Sequence, residues 1–289
     1  MGLMATIKAQ QAMRAHGNGD LEKAKTLYEE ALAKGLDSAR PMLGYALLLI
    51  REGSYDKAMS LLLKTQNCPD LTPEQKSQLY VDYAACCEKK GELEKGIRLL
   101  EKQHRRAPIG LTYQTLGYLY VEKYAGEKPI APVPSEKEEK TGEACENKTD
   151  EVREVKTDEV NKTDEVRKTQ EEMDAEWQAG IENMFAFIKE SIDYDDEDAI
   201  CLDNLGQAYF RVTHEEDKAR EWFEKAHEER SSQIDTLWFL SRYDLKEGNA
   251  DAALEKLETA SNGRFSPLNF CTKEMVDAEI ERIKNQEKR

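Results

Sequence analysis

The sequence is short of everything that marks a catalytic centre. Its four histidines, His16, His104, His214 and His227, have no second histidine or cysteine three or four residues away, so metal-ligand spacing is missing. There is no phosphate-binding glycine loop, no dinucleotide fingerprint after a strand and no nucleophile elbow. The dense carboxylate run Asp195-Asp196-Glu197-Asp198 precedes a helix start, where it complements the helix dipole. No catalytic residue, metal or cofactor is therefore expected, and the chain reads as a non-enzyme. The six cysteines, Cys68, Cys86, Cys87, Cys145, Cys201 and Cys271, are scattered. Cys86 and Cys87 are adjacent on one expected helix, so their side chains diverge by ~100°. They read as small core residues of a reducing compartment. No apolar run approaches a membrane helix, and Met1 to Arg14 lacks a signal-peptide pattern, which makes the expected location cytoplasmic. Positive charge is also short, with 42 Lys and Arg against 58 Asp and Glu, a net charge of −16. Such a chain has little to offer a phosphate backbone or an anionic bilayer, so neither nucleic acid nor a membrane is an expected partner.

What the sequence does contain is one pattern repeated. Over Cys201 to Arg230, Leu202, Leu205, Gly206, Tyr209 and Phe210 recur at helical spacing, and Ala219, Trp222, Phe223 and Ala226 repeat the spacing in a second helix. The rest of the chain can be laid out as copies. Small residues recur as 12→24, 46→58, 84→96 and 241→253, a step of 12 each time, and as 206→219, a step of 13. Between hairpins, 24→58 and 219→253 are each 34 residues, whereas 58→96 is 38, with the surplus in the loop Asn67 to Pro73. Asp20 is placed to cap one helix, and Pro73 suits the first position of another. The order Leu205-Gly206, Tyr209, Ala219, Phe223, Ala226 resembles the tetratricopeptide repeat. That resemblance implies helix–turn–helix units stacked into an all-α solenoid, here about six hairpins, and an interaction scaffold rather than an enzyme. One hairpin cannot bury both of its apolar faces, so each depends on its neighbours.

The fourth copy is interrupted. Its first helix carries Tyr113, Leu116-Gly117 and Tyr120, but from Tyr124 to Trp177 no aromatic residue intervenes. That tract holds Pro129, Pro132 and Pro134, and Lys148-Thr149-Asp150-Glu151-Val152 recurs from Lys156 and from Lys162. Segments of this composition bury too little apolar surface to offset their ordering entropy, so disorder is expected over 125–170. Met184, Ile188 and Ser191 then stand where Ala219, Phe223 and Ala226 stand later, completing the hairpin. The expected organisation is hairpins one to three and half of the fourth over 1–124, an insertion over 125–170, the remaining hairpins over 171–262, and a loop with a capping helix over 263–289. One continuous array is favoured over two arrays on a linker, because loop closure costs rise slowly with length.

In the resembled family, the groove is lined by the first helix of each hairpin, and stepping 3, 4 and 3 along these helices gives the candidate positions. They are Arg40, Leu43, Leu47 and Ile50; Gln78, Val81, Ala85 and Glu88; Leu111, Gln114, Tyr118 and Val121; Ile200, Asp203, Gln207 and Phe210; and Asp235, Trp238, Arg242 and Leu245. The family's carboxylate clamp of Lys, Asn and Arg is not matched. Apolar and aromatic residues rimmed by both charges suggest an extended or helical partner segment held by side chains, with Tyr118 and Trp238 as anchors. A sensor that alters a partner's activity, with the acidic insertion 125–170 as a second contact or autoinhibitory element, is the second expectation. Oligomeric state stays open.

Overall fold

In this computed structural model, residues 2–130 and 169–286 are described, and over them the chain forms thirteen α-helices and no strand. Most of the tract expected to be disordered, 131–168, lies outside the described residues. Six hairpins follow one another: α1 (Leu3–Gly17) with α2 (Leu21–Ala33), α3 (Ala39–Arg51) with α4 (Tyr55–Thr65), and α5 (Pro73–Lys89) with α6 (Leu93–His104). Then come α7 (Gly110–Ala125) with α8 (Gln170–Tyr194), α9 (Ala199–Gln207) with α10 (Glu216–Glu229), and α11 (Ile234–Lys246) with α12 (Ala250–Ser261), closed by α13 (Lys273–Gln286). The protein is an all-α solenoid with a C-terminal capping helix.

The small residues sit where the helices of a pair cross. Ala12, Ala24, Ala46, Ala58, Ala84, Ala219, Ser241 and Ala253 are fully buried. A Cβ added at Gly96 would stand 3.0 Å from Cys87 Cβ and 3.1 Å from the Ala84 carbonyl, so only glycine allows this approach without displacing its neighbours. Aromatics fill between pairs: Tyr28 stacks on Tyr45 at 5.2 Å, and Phe223 on Phe239 at 4.7 Å. Each such ring, fully buried, contributes roughly 1.5–3 kcal/mol. The longer 58→96 step also has a use. Its loop carries Asp70, which accepts 2.6 Å from the Ser38 hydroxyl and 2.8 Å from Ala39 N–H, satisfying the N-terminus of α3.

Turn geometry explains the one irregular step. Four turns reverse on a glycine of positive φ: Gly19, Gly53, Gly91 and Gly248, each seven residues after its small residue. In the fifth hairpin the reversal falls on His214, φ 58°, eight residues after Gly206. The surplus residue is absorbed upstream, where α9 widens into a π-helix over Ala208–Thr213. Across the interrupted fourth pair, the Tyr113 hydroxyl donates to Glu190 at 3.0 Å, and Tyr120 and Tyr124 meet Phe187 and Trp177 edge-on at 5.2 and 5.0 Å. Met184, Ile188 and Ser191 are buried there.

Candidate functional site

Helices α1, α3, α5, α7 and α9 pack on one another in turn, whereas the even-numbered helices pack against odd-numbered neighbours instead of forming a layer of their own. The odd helices are therefore the inner, shorter arc of the curve, and their free face is the concave one. That face is not an open trough. The segment 263–272, between α12 and α13, lies across it. Leu268 packs against the cluster holding Val81, Leu116 and Tyr118, far back along the chain. Phe270 stacks on Phe239 at 5.2 Å, and the Arg211 guanidinium lies 4.1 Å over the Phe270 ring.

Asp235, one residue into α11, holds this segment down. Its carboxylate accepts from Asn269 Nδ2 at 2.9 Å, Phe270 N–H at 3.0 Å, Cys271 N–H at 3.1 Å and the Cys271 thiol at 3.2 Å. Asp203, on α9 beside it, accepts from Thr236 Oγ1 at 2.6 Å and Gln207 Nε2 at 2.7 Å. Burial pushes Asp203 up to about 7, helped by the neighbouring Asp235 charge, and burial also raises Asp235 against the pull of its donors. Burial, then the Asp235 charge, raises the Cys271 thiol, which keeps it a proton donor. On the π-helix, Arg211 forms a two-pronged pair with Glu122, at 2.6 and 3.1 Å, and donates to Gln207 Oε1 at 3.0 Å. The widened turn aims that guanidinium inward.

Between α7, α9, the start of α11 and the crossing segment remains a cavity of about 440 Å³. Of the candidate positions, it brings together Leu111, Gln114, Tyr118, Ile200, Asp203, Gln207 and Asp235. It does not gather Arg40, Leu43, Leu47, Gln78 and Val81 from α3 and α5, nor Val121, Phe210, Trp238 and Arg242. Arg40 is exposed, and Leu47, Gln78, Gln114, Phe210 and Arg242 are half-buried; Leu43, Val81, Val121, Asp203 and Gln207 are buried. The two expected anchors are largely enclosed. Tyr118 is 5% exposed and lines the cavity, while Trp238, also 5%, lies under the Arg242 guanidinium at 4.2 Å. No described residue hydrogen-bonds the Tyr118 hydroxyl, and burial, then Glu122 and Glu88, drives its pKa far above the usual range, so it remains a donor.

The remaining lining comes from Thr115, Asn204, Ile234 and the loop residues Arg230, Ser232, Gln233, Gly263, Arg264, Ser266, Leu268 and Asn269. Sequence reasoning missed the loop residues because it followed helical periodicity. One signal was available: Phe265, Leu268, Phe270 and Cys271 make an unusually apolar loop. Among the described residues no cluster of His, Cys, Asp and Glu is arranged to hold a metal, and no helix is long and apolar enough to cross a membrane. Cys68, Cys86, Cys87, Cys201 and Cys271 are free thiols, all but Cys68 buried.

This is the architecture of a superhelical repeat scaffold, a class whose fold suggests protein–protein interaction. A family model for the tetratricopeptide repeat matches residues 15–77. Among solved structures, the chain is similar to TTC0263, a thermophilic tetratricopeptide-repeat protein of Thermus thermophilus, at 14% identity and a TM-score of 0.54, over 86% of this chain and 100% of that one. It is similar to PilW, a type IV pilus biogenesis factor, at 14% identity and a TM-score of 0.54, over 93% of this chain and 98% of that one. PilF of Pseudomonas aeruginosa gives 10% identity and a TM-score of 0.51, over 98% and 97%. No curated protein matches the sequence. The tetratricopeptide-repeat match covers residues 15–77, and over the rest of the chain these structures show a shared fold.

Proposed function

We propose that the protein is a non-catalytic scaffold that holds an extended or helical segment of a protein partner against its concave layer. The observation that carries this reading is the cavity of about 440 Å³ on that layer, mostly apolar, with the unpartnered Tyr118 hydroxyl among its lining groups. Built ligand sites combine an apolar wall with a few convergent polar groups. Arg40, Leu47, Gln78, Phe210 and Arg242 stay accessible on the same layer and extend the contact surface along the curve. The array is taken as continuous, with 131–168 linking α7 to α8 and the paired aromatics of those helices closing the hairpin.

A photo-crosslinking amino acid placed at Leu47, Gln78 or Gln114 tests the reading directly in cells of origin. Inner positions are expected to capture a discrete polypeptide, while Leu21 and Leu63, exposed on α2 and α4, capture none. Crosslinks confined to the outer positions would refute the groove. The second reading, a sensor whose occupancy changes a partner's activity, is favoured by one feature, the segment 263–272 lying on the face a ligand would use.

A further inference from the structure

We propose that the cavity between α7, α9 and the crossing segment receives one bulky apolar side chain from an acidic, extended peptide segment. This rests on the reading of the inner layer as the partner-binding face and adds which segments it selects. Size comes first: about 440 Å³ lies toward the lower end of the roughly 300–1,000 Å³ of built ligand sites, room for a side chain and its flanking backbone. Leu111, Ile200, Ile234 and Leu268 supply the apolar wall.

The polar groups fit a peptide backbone. Gln114 Nε2 donates to Asp198 at 2.6 Å, and Asn204 Nδ2 donates to the Gln114 carbonyl at 2.9 Å. No described residue donates to the side-chain oxygens of Gln114 and Asn204, and none pairs with the Tyr118 hydroxyl. Two acceptors and a donor are left in one cavity. An extended peptide carries the complementary N–H and C=O groups on the same strand.

Charge at the mouth selects acid. Arg230 and Arg264 line the cavity, are exposed, and have no ion pair among the described residues. Arg264 stands close enough to Arg51 and His16, at the ends of α3 and α1, to act on both. Burial, then Arg264, lowers Arg51, and burial, then Arg51 and Arg264, lowers His16. The carboxylate facing Arg51 is Asp82, which burial pushes up to about 7. Asp203 and Asp235, at the cavity itself, are already engaged by the protein's own donors. Of the other carboxylates nearby, Asp198 accepts from Gln114 and from the N–H groups of Ile200 and Cys201, Glu122 pairs with Arg211 and Glu88 with Lys89, which leaves Arg230 and Arg264 as unpaired like charges at the mouth. Carboxylates flanking an apolar residue relieve that crowding, and lysines in the same places add to it.

The test uses the full chain and fluorescein-labelled, C-terminally amidated nonapeptides, read by fluorescence anisotropy. The central residue is Leu, Phe or Ala, and the flanks are Asp/Glu, Ser or Lys. Acid-flanked Leu or Phe peptides are expected to bind, central Ala to weaken binding by about tenfold or more, and Lys-flanked peptides not to bind. The double variant Arg230→Glu, Arg264→Glu, with both side chains exposed and unpaired, is expected to lose the acidic peptides and gain the Lys-flanked ones. Ser266→Trp, at an exposed position on the rim, is expected to block all of them at unchanged helicity. Binding of no peptide, equal binding of Ala and Leu centres, or a flank preference unmoved by the charge reversal would each overturn the proposal. Crosslinks from Leu47 and Gln114 alongside any of those results would leave the inner-layer reading standing and remove this inference alone. The opposite pattern, peptides bound as expected and no crosslinks, would remove the natural-partner reading.

Discussion

Replacing Asp235 with alanine is the sharpest test of the segment that crosses the concave face. The carboxylate accepts two backbone N–H groups, an amide N–H and a thiol from Asn269, Phe270 and Cys271. Cys271 is 1% exposed, so its N–H cannot turn to water while the segment stays in place. A buried donor left without a partner costs about 1–3 kcal/mol, and two are stranded here. Removing the buried Asp235 charge returns part of that, because burial disfavours the ionised form. The expected net loss is about 2–4 kcal/mol, or release of the segment if lifting Leu268 and Phe270 costs less. Guanidinium unfolding gives the first outcome as a lowered midpoint. Hydrogen exchange gives the second as lost protection at Phe270 and Cys271 with the helices unchanged. Asp235→Asn keeps one acceptor oxygen and is expected to fall between. An alanine variant with the wild-type midpoint and intact protection at both amides would show that the carboxylate does not hold the segment.

Acidity gives a second handle. Asp82 and Asp203 are each pushed from 3.8 up to about 7, so the native state holds its protons longer than the unfolded chain. Their contribution to stability is then fully present near pH 4 and is lost as pH rises towards 7. At ~1.4 kcal/mol per pH unit for each proton, the rise from 3.8 to about 7 corresponds to a fall on the order of 4 kcal/mol for each group. Asp82→Asn with Asp203→Asn is expected to flatten it, and an unchanged slope would refute the assignment. At Gly206 an added Cβ would stand 2.6 Å from the Phe223 ring, so Gly206→Ala is expected to cost about 1–3 kcal/mol in thermal or denaturant unfolding. His214, held at φ 58°, should gain about 1 kcal/mol on replacement by glycine, and a loss there would mean that its side chain is needed. A protease site engineered into 131–168 and cut is expected to leave the two fragments associated on a sizing column; fragments that separate would favour two arrays.

The repeat was legible because it is written in local spacing. Ala24, Ala58, Gly96, Ala219 and Ala253 announce helix crossings whose only requirement is a small side chain at a fixed distance from a turn. Even the step of 13 in the fifth hairpin had its counterpart, the π-helix before His214. The inner face was legible only as positions. Nothing in the periodicity places Leu268 on the cluster that holds Val81 and Tyr118, or puts Asp235 opposite the amides of Phe270 and Cys271. Those contacts join residues from different layers, and their pattern is one of shape and hydrogen bonding rather than of spacing. Tyr118 is largely enclosed for a reason of that kind, bordered by the crossing segment, whereas Trp238 is covered by Arg242 one turn further along its own helix.

A stack in which each repeat touches only the next behaves as a soft spring: it can lengthen, twist or fray from either end, one unit at a time. The Leu268 contact changes that mechanics. It joins the far end of the array to the cluster of α5, α6 and α7, so the intervening turns of the coil cannot extend independently while it holds. Pitch and curvature are thereby fixed by a tie across the bore as well as by the packing along the wall. Separating the last hairpins from α5, α6 and α7 therefore requires this tie to release.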